Sequence, residues 1–189
     1  MNKEKENALR ALIKPLPHSN WEADYSLGDI DRALERFHEG YGLNLEPDFQ
    51  RGHVWTMKQR SAYIEAMLRR ALPSSALLIQ WNCPSWMGDK PKNSDLVDEI
   101  VIVDGLQRLT TVRMFMRGEL TAFGLKFDDF DDTEFMLRRM TYNIRFAMFT
   151  IQTRAELLAF YLAINSGGTP HTPEELARVR ALLEKKERA

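Results

Sequence analysis

Four β-branched residues in a row, Ile100-Val101-Ile102-Val103, run straight into Asp104-Gly105, and a helical pattern then begins at Leu106 and continues through Leu109, Val112 and Met116 to Gly118. A strand that is apolar at every position has no face to spare for water, so it belongs inside a sheet covered on both sides. The sequence therefore describes a buried strand, a tight glycine turn and a helix, which is an α/β arrangement. The turn between them is where such a fold places a site.

Other segments support the same architecture. Ser26 is a plausible N-cap for a helix over Ser26–His38, with Ile30, Ala33, Leu34 and Phe37 at helical spacing and Gly40 as its stop. Thr56 and Gln59 form a capping box ahead of the stripe Tyr63, Ile64, Met67, Leu68 and Leu72, which Pro73 ends. Ala76–Trp81 reads as a short buried strand and 82–95, with Pro84, Gly88 and Pro91, as the long loop. Asn143–Thr150 alternates as a strand behind the acidic loop containing Asp128, Asp129, Asp131 and Asp132. Thr153 and Glu156 cap a helix through Ile164 that stops at Ser166-Gly167-Gly168, and Thr172-Pro173-Glu174-Glu175 opens a last helix. Residues 1–20 are expected to be a frayed, flexible segment with Pro15 and Pro17 in a linker, and 21–189 one domain.

The chain's 189 residues suffice for one core. Its 26 basic and 27 acidic side chains nearly cancel, so no global field draws it to DNA or to an anionic membrane. Contact with DNA must come from a local patch. A lone Cys83 excludes a disulfide framework and fits the cytoplasm, where its thiol needs no special role. No membrane-spanning stretch and no signal peptide are visible, and the four scattered histidines do not predict a metal site. Met114, Met116, Met136, Met140 and Met148 are expected to be packing.

Two stretches could carry chemistry. At the Asp104-Gly105 turn, the start of the helix offers backbone N–H groups to an anion. Arg108 adds a guanidinium suited to phosphate, and Thr110 and Thr111 add hydroxyls. Arg108 pairing with Asp104 is the plain structural alternative. The second stretch, Pro47-Asp48-Phe49-Gln50-Arg51-Gly52-His53-Val54-Trp55, is a loop rich in hydrogen-bonding groups. Read by itself, it is a loop anchored to the core by Phe49 and Trp55, with Arg51 in a structural ion pair.

Together, three stretches resemble the N-terminal domain of GmrSD-type restriction systems. They are Pro47-Asp48-Phe49-Gln50-Arg51 with Val54-Trp55, Gln59-Arg60 and Leu68-Arg69-Arg70; Val103 to Thr111, matching an Asp-Gly-Gln-Gln-Arg-Leu-Thr-Thr signature; and Ala163-Ile164-Asn165-Ser166-Gly167-Gly168 with Thr172 to Glu175. The resemblance implies a ParB/sulfiredoxin-like fold, a small mixed sheet flanked by helices, whose polar cleft binds nucleotide. It implies catalytic roles for Asp104, Gln107 and Arg108, phosphate or nucleotide contacts from Gln50, Arg51, Gly105, Thr110, Thr111 and Asn165, and Mg2+ entering with the nucleotide. Leu106 stands where the signature has its first glutamine, which weakens the expectation of hydrolysis more than that of binding. The sequence shows no HNH-type nuclease centre, so a separate nuclease subunit is an expected partner, and a homo-oligomer is compatible.

Two functions follow. One is a nucleotide-binding, NTP-hydrolysing regulatory domain of a restriction, phage-defence or phage-encoded system. The other is a non-enzymatic module that binds DNA or a partner through the same arginines and the pairs Arg69-Arg70 and Arg138-Arg139. Sulfiredoxin-like sulfur chemistry is discounted, because no cysteine stands in the turn.

Overall fold

The computed structural model describes residues 2–86, 88–165, 177, 179, 181 and 182. Among them, five strands form one sheet: β1 (Trp21–Ser26), β2 (Leu43–Asn44), β3 (Leu78–Asn82), β4 (Ile100–Asp104) and β5 (Asn143–Phe149), in the order β1-β5-β3-β4-β2. β1 with β5 and β3 with β4 are antiparallel; β3 with β5 and β2 with β4 are parallel. The helices whose bounds fall within the described residues are α1 (Lys3–Ile13), α2 (Ile30–Tyr41), α3 (Met57–Leu68), α4 (Leu106–Met116) and α5 (Arg154–Asn165). The protein is thus a mixed α/β fold, as the strand-turn-helix pattern requires.

β4 shows why its sequence is apolar throughout. Ile100 and Ile102 face a core built with Ile30, Leu34 and Phe37 of α2, Tyr63, Ile64 and Met67 of α3, and Leu109, Val112 and Phe115 of α4. Val101 and Val103 face the other side, where Leu157, Leu158 and Tyr161 of α5 pack with Phe49. β5 divides likewise, with Ile144, Phe146 and Met148 to the first core and Ala147 and Phe149 to the second. Each large side chain withdrawn from water in this way contributes about 1.5–3 kcal/mol.

Several boundaries differ from the sequence reading. Regular structure begins before Trp21: Lys3–Ile13 is helical, capped by the Asn2 side chain, although none of its residues is buried. Trp21–Ser26 is a strand, and α2 runs past Gly40 to Gly42, where a φ of +79° ends it and the Gly42 N–H donates to the His38 carbonyl at 2.9 Å. Ala76 does not belong to β3. Residues Ser74–Leu77 form a 3-10 turn after Pro73, and the Ala76 carbonyl accepts from the Tyr63 hydroxyl at 2.8 Å instead of from a neighbouring strand. The segment Phe127–Phe130 is also a 3-10 turn, and Met140 is exposed, not packed. Cys83, assigned to the long loop, is fully buried. The expected stop at 166–168 and the opening of the last helix at 172–175 lie outside the described residues; beyond them, Val179 is buried in the second core.

Candidate functional site

The turn after β4 leaves room for glycine only. Gly105 has φ +99°, a conformation that L side chains rarely adopt, and a Cβ there would lie 2.6 Å from Ile79 Cδ1 and 3.2 Å from both Ile79 Cα and the Leu78 carbonyl oxygen. The chain therefore turns tightly over β3 and starts α4 at once. The first N–H groups of α4 have no acceptors within the helix, and they gather at its positive end.

Two amides lock the Pro47–Trp55 loop onto this turn. Gln107, on the first turn of α4 and only 8% exposed, accepts from the backbone N–H groups of Val54 at 3.1 Å and Trp55 at 3.2 Å, and donates to the Gly52 carbonyl at 2.9 Å. Gln50 donates to the Val103 carbonyl at 3.2 Å, and the Tyr161 hydroxyl donates to its Oε1 at 3.4 Å. Residues on both sides of Arg51 are thus bound to the β4–α4 junction, which holds Arg51 beside it. Asn165 ends α5, and its Nδ2 donates within that helix to the Tyr161 carbonyl at 2.8 Å. Phe49 against Tyr161 and Trp55 against Tyr63, with ring centroids 5.2 and 5.3 Å apart, anchor the loop as expected.

The turn's own charges are paired. Arg108 forms an ion pair with Asp104, four residues earlier, and donates to the Ser75 carbonyl at 2.6 Å. The plain structural alternative for Arg108 is therefore realised in this conformation. Thr110 is half-buried, whereas Thr111 is wholly buried and turns its hydroxyl inward, donating to the Gln107 carbonyl at 2.7 Å. Among the described residues no three His, Cys, Asp or Glu side chains gather to hold a metal ion.

The loop, the turn and α5, through Tyr161, thus bring together three segments widely separated in sequence. The model of the GmrSD restriction endonuclease, N-terminal domain, matches residues 30–182. The chain belongs to this family. No curated protein and no solved structure matches it. As a GmrSD N-terminal domain, it is a component of a restriction system and implies a nuclease domain or subunit as partner. Among the described residues, no helix is long and apolar enough to cross a membrane.

Within this GmrSD N-terminal domain, Leu106 is a core residue, and its side chain packs where a glutamine would have to be buried. Two residues gain roles that the sequence reading did not give them. Tyr161, expected only to pack, touches Gln50. Arg60 lies on the buried face of α3 at 5% exposure, donating from Nε to the Trp55 carbonyl at 3.3 Å and from Nη1 to the Thr111 hydroxyl at 3.2 Å. Burial holds its pKa below the usual arginine range. Its signal in the sequence was a cation at the head of the stripe Arg60, Tyr63, Ile64, Met67, Leu68, where helical spacing predicts an apolar side chain.

Proposed function

We propose that this domain binds a nucleoside triphosphate at the Asp104-Gly105 turn and regulates the nuclease of a restriction or phage-defence system. The observation that carries the reading is the double clamp on Arg51: Gln50 tied to Val103 on one side, and Gly52 tied to Gln107 on the other. So many hydrogen bonds holding a loop over one helix start pre-organise a cation beside N–H donors, which is the chemistry of a phosphate cradle. Arg51 and Arg108 are the phosphate-binding cations, with the Gly105 backbone, Thr110 and Asn165 around the ligand. Gln107 and Thr111 act as positioning residues, because their polar atoms are committed to the loop and to α4.

Mg2+ would come with the nucleotide. A cation held mainly by phosphates and water needs one or two carboxylates, and Asp104 supplies one. For hydrolysis, in which water would attack the terminal phosphorus and the nucleoside diphosphate would leave, Asp104 would exchange its bond to Arg108 for one to the phosphate-bound metal, leaving Arg108 to face the charge that develops on the phosphoryl oxygens. The cytoplasm suits such a protein, since its one thiol is buried and nucleotides abound there.

The arginine pairs give less support to the DNA-binding reading. Arg138 is paired with Asp128 and Asp131 and lies 4.8 Å over the Phe127 ring, so it is not part of an open phosphate track. Titration calorimetry with ATP, GTP, CTP and UTP plus magnesium tests the proposal. One or more should bind, and Arg51→Ala and Arg108→Ala should lose that binding while melting cooperatively. A wild-type chain that binds none of the four overturns it.

A further inference from the structure

Among the described residues, Arg60 is the one charged side chain that is buried outright, and no carboxylate pairs with it. Less deeply buried arginines are better provided: Arg108 pairs with Asp104, Arg113 with Asp31 and Arg154 with Asp48. A charge taken out of water carries a free-energy cost that hydrogen bonds return only in part and an opposite charge offsets further.

The bonds that Arg60 makes do not call for a charge. Its Nε donates to the Trp55 carbonyl at 3.3 Å and its Nη1 to the Thr111 hydroxyl at 3.2 Å, and an uncharged donor would serve either of these neutral acceptors. The Thr111 hydroxyl donates onward to the Gln107 carbonyl at 2.7 Å, and the Gln107 side chain receives the Trp55 N–H at 3.2 Å. The bonds close a ring through Arg60, Thr111, Gln107 and Trp55. Arg60, Gln107 and Thr111 are half of the six buried polar side chains among the described residues, so the polar interior of the domain is concentrated under the start of α4.

Position accounts for the charge. Gln107 and Thr111 lie on the first two turns of α4, so Arg60 sits against the positive end of that helix, where a cation is unfavourable. The helix end and the guanidinium are two positive sources of the same sign, and the ring of hydrogen bonds prevents them from turning apart. An anion at the helix start relieves both.

We propose that Arg60 is the buried charge of the phosphate site: it acts on the nucleotide across the start of α4 without touching it, and the ligand's phosphates are its missing counter-charge. This rests on the nucleotide-binding reading above and adds the reason why the site prefers polyphosphates. A unit charge about 10 Å away, at an effective dielectric constant of about 20, changes affinity roughly tenfold for each negative charge it meets.

Titration calorimetry of the full chain with ATP, GTP, CTP and UTP plus magnesium, comparing wild type with Arg60→Met and Arg60→Lys, tests the proposal. Work at about pH 6.5 favours the protonated form of a buried lysine. Arg60→Met keeps the length of the side chain without its charge. It should bind the wild-type nucleotide roughly tenfold more weakly or worse, while melting cooperatively and resisting trypsin after Arg51 as wild type does. Arg60→Lys restores the charge without the guanidinium fork, and should recover most of that affinity. Undiminished binding by Arg60→Met overturns the proposal. Arg60→Lys binding as weakly as Arg60→Met also overturns it, because the guanidinium's hydrogen bonds would then be what matters. So does faster cleavage after Arg51 in Arg60→Met, which would make the residue a support for the loop alone. A wild-type chain that binds none of the four nucleotides removes the reading of the site and this inference together. Binding lost in Arg51→Ala but kept in Arg60→Met leaves that reading standing and removes the inference alone.

Discussion

The amide of Gln107 reaches Gly52 across 55 positions of sequence, its Nε2 donating to the Gly52 carbonyl at 2.9 Å while its Oε1 receives the N–H groups of Val54 and Trp55. One side chain thereby satisfies three backbone groups of a loop that has no regular partner of its own. The loop's shape is consequently a property of α4.

Replacing Gln107 by leucine keeps the volume and removes all three bonds. It should cost about 2–3 kcal/mol, because the freed backbone groups regain water only by moving the loop. Urea denaturation measures the loss. Trypsin supplies a local readout: cleavage after Arg51 should quicken in the variant well below its unfolding midpoint. Unchanged cleavage would mean that Phe49 and Trp55 hold the loop without Gln107.

Gly105→Ala should be the most damaging small substitution in the turn. The added methyl meets Ile79 Cδ1 at 2.6 Å and two backbone atoms at 3.2 Å, at a φ of +99°. The isoleucine tip can rotate away, but the backbone of β3 cannot. Strain and overpacking together should cost about 3 kcal/mol, read from the urea midpoint against Gly124→Ala. Gly124 also has a positive φ, with nothing within 4 Å of its added Cβ, so the comparison separates the clash from the φ penalty.

The parts of this fold that the sequence disclosed are those fixed by local chemistry. The Thr56–Gln59 capping box is present with both reciprocal bonds, and β4 is buried on both faces as Ile100 to Val103 require. β1 has an equally local signature: Trp21, Ala23 and Tyr25 point inward while Glu22 and Asp24 are exposed, a two-residue period that Ser26, a residue type suited to a helix cap, obscures. β2 could not have been found locally. Its two residues are a strand only because Leu43 and Asn44 lie beside Ile100 and Val101. The site divides in the same way. Asp104-Gly105 announced a turn, but no local signal shows that Gln107 faces a loop 52 to 55 residues away, or that Arg108 is bound to Ser75.

Tyr63 gives the fold a pH dependence above neutrality. Burial pushes its phenol well above the ordinary range, and its hydroxyl is occupied by the Ala76 carbonyl. In the unfolded chain it ionises near pH 10, as free tyrosine does. A group whose pKa is raised on folding gives its full stabilisation below the unfolded value and loses it as pH rises beyond that value. Stability should therefore be level up to about pH 10 and fall above it. Tyr25 is also pushed up by burial, so Tyr63→Phe should flatten the fall without abolishing it, at a cost near neutrality of about 1 kcal/mol. Urea midpoints on both sides of pH 10 decide it. A slope identical in Tyr63→Phe would assign the dependence to other groups.

Arg60 is the sharpest test of what holds the loop to the core from beneath. Among the described residues its buried guanidinium has no carboxylate partner and spends its donors on the Trp55 carbonyl and the Thr111 hydroxyl. Burial of a charge is costly, and a side chain of similar length without the charge recovers that cost while giving up the bonds. Arg60→Met should therefore lie within about 1 kcal/mol of wild type, whereas Arg60→Ala, which also opens a cavity beside Tyr63 and Trp55, should lose about 3 kcal/mol. If the two variants lose the same amount by urea denaturation, the hydrogen bonds hold this corner. If only alanine is costly, the aliphatic stem does, and the charge at the head of the α3 stripe is tolerated for what it positions.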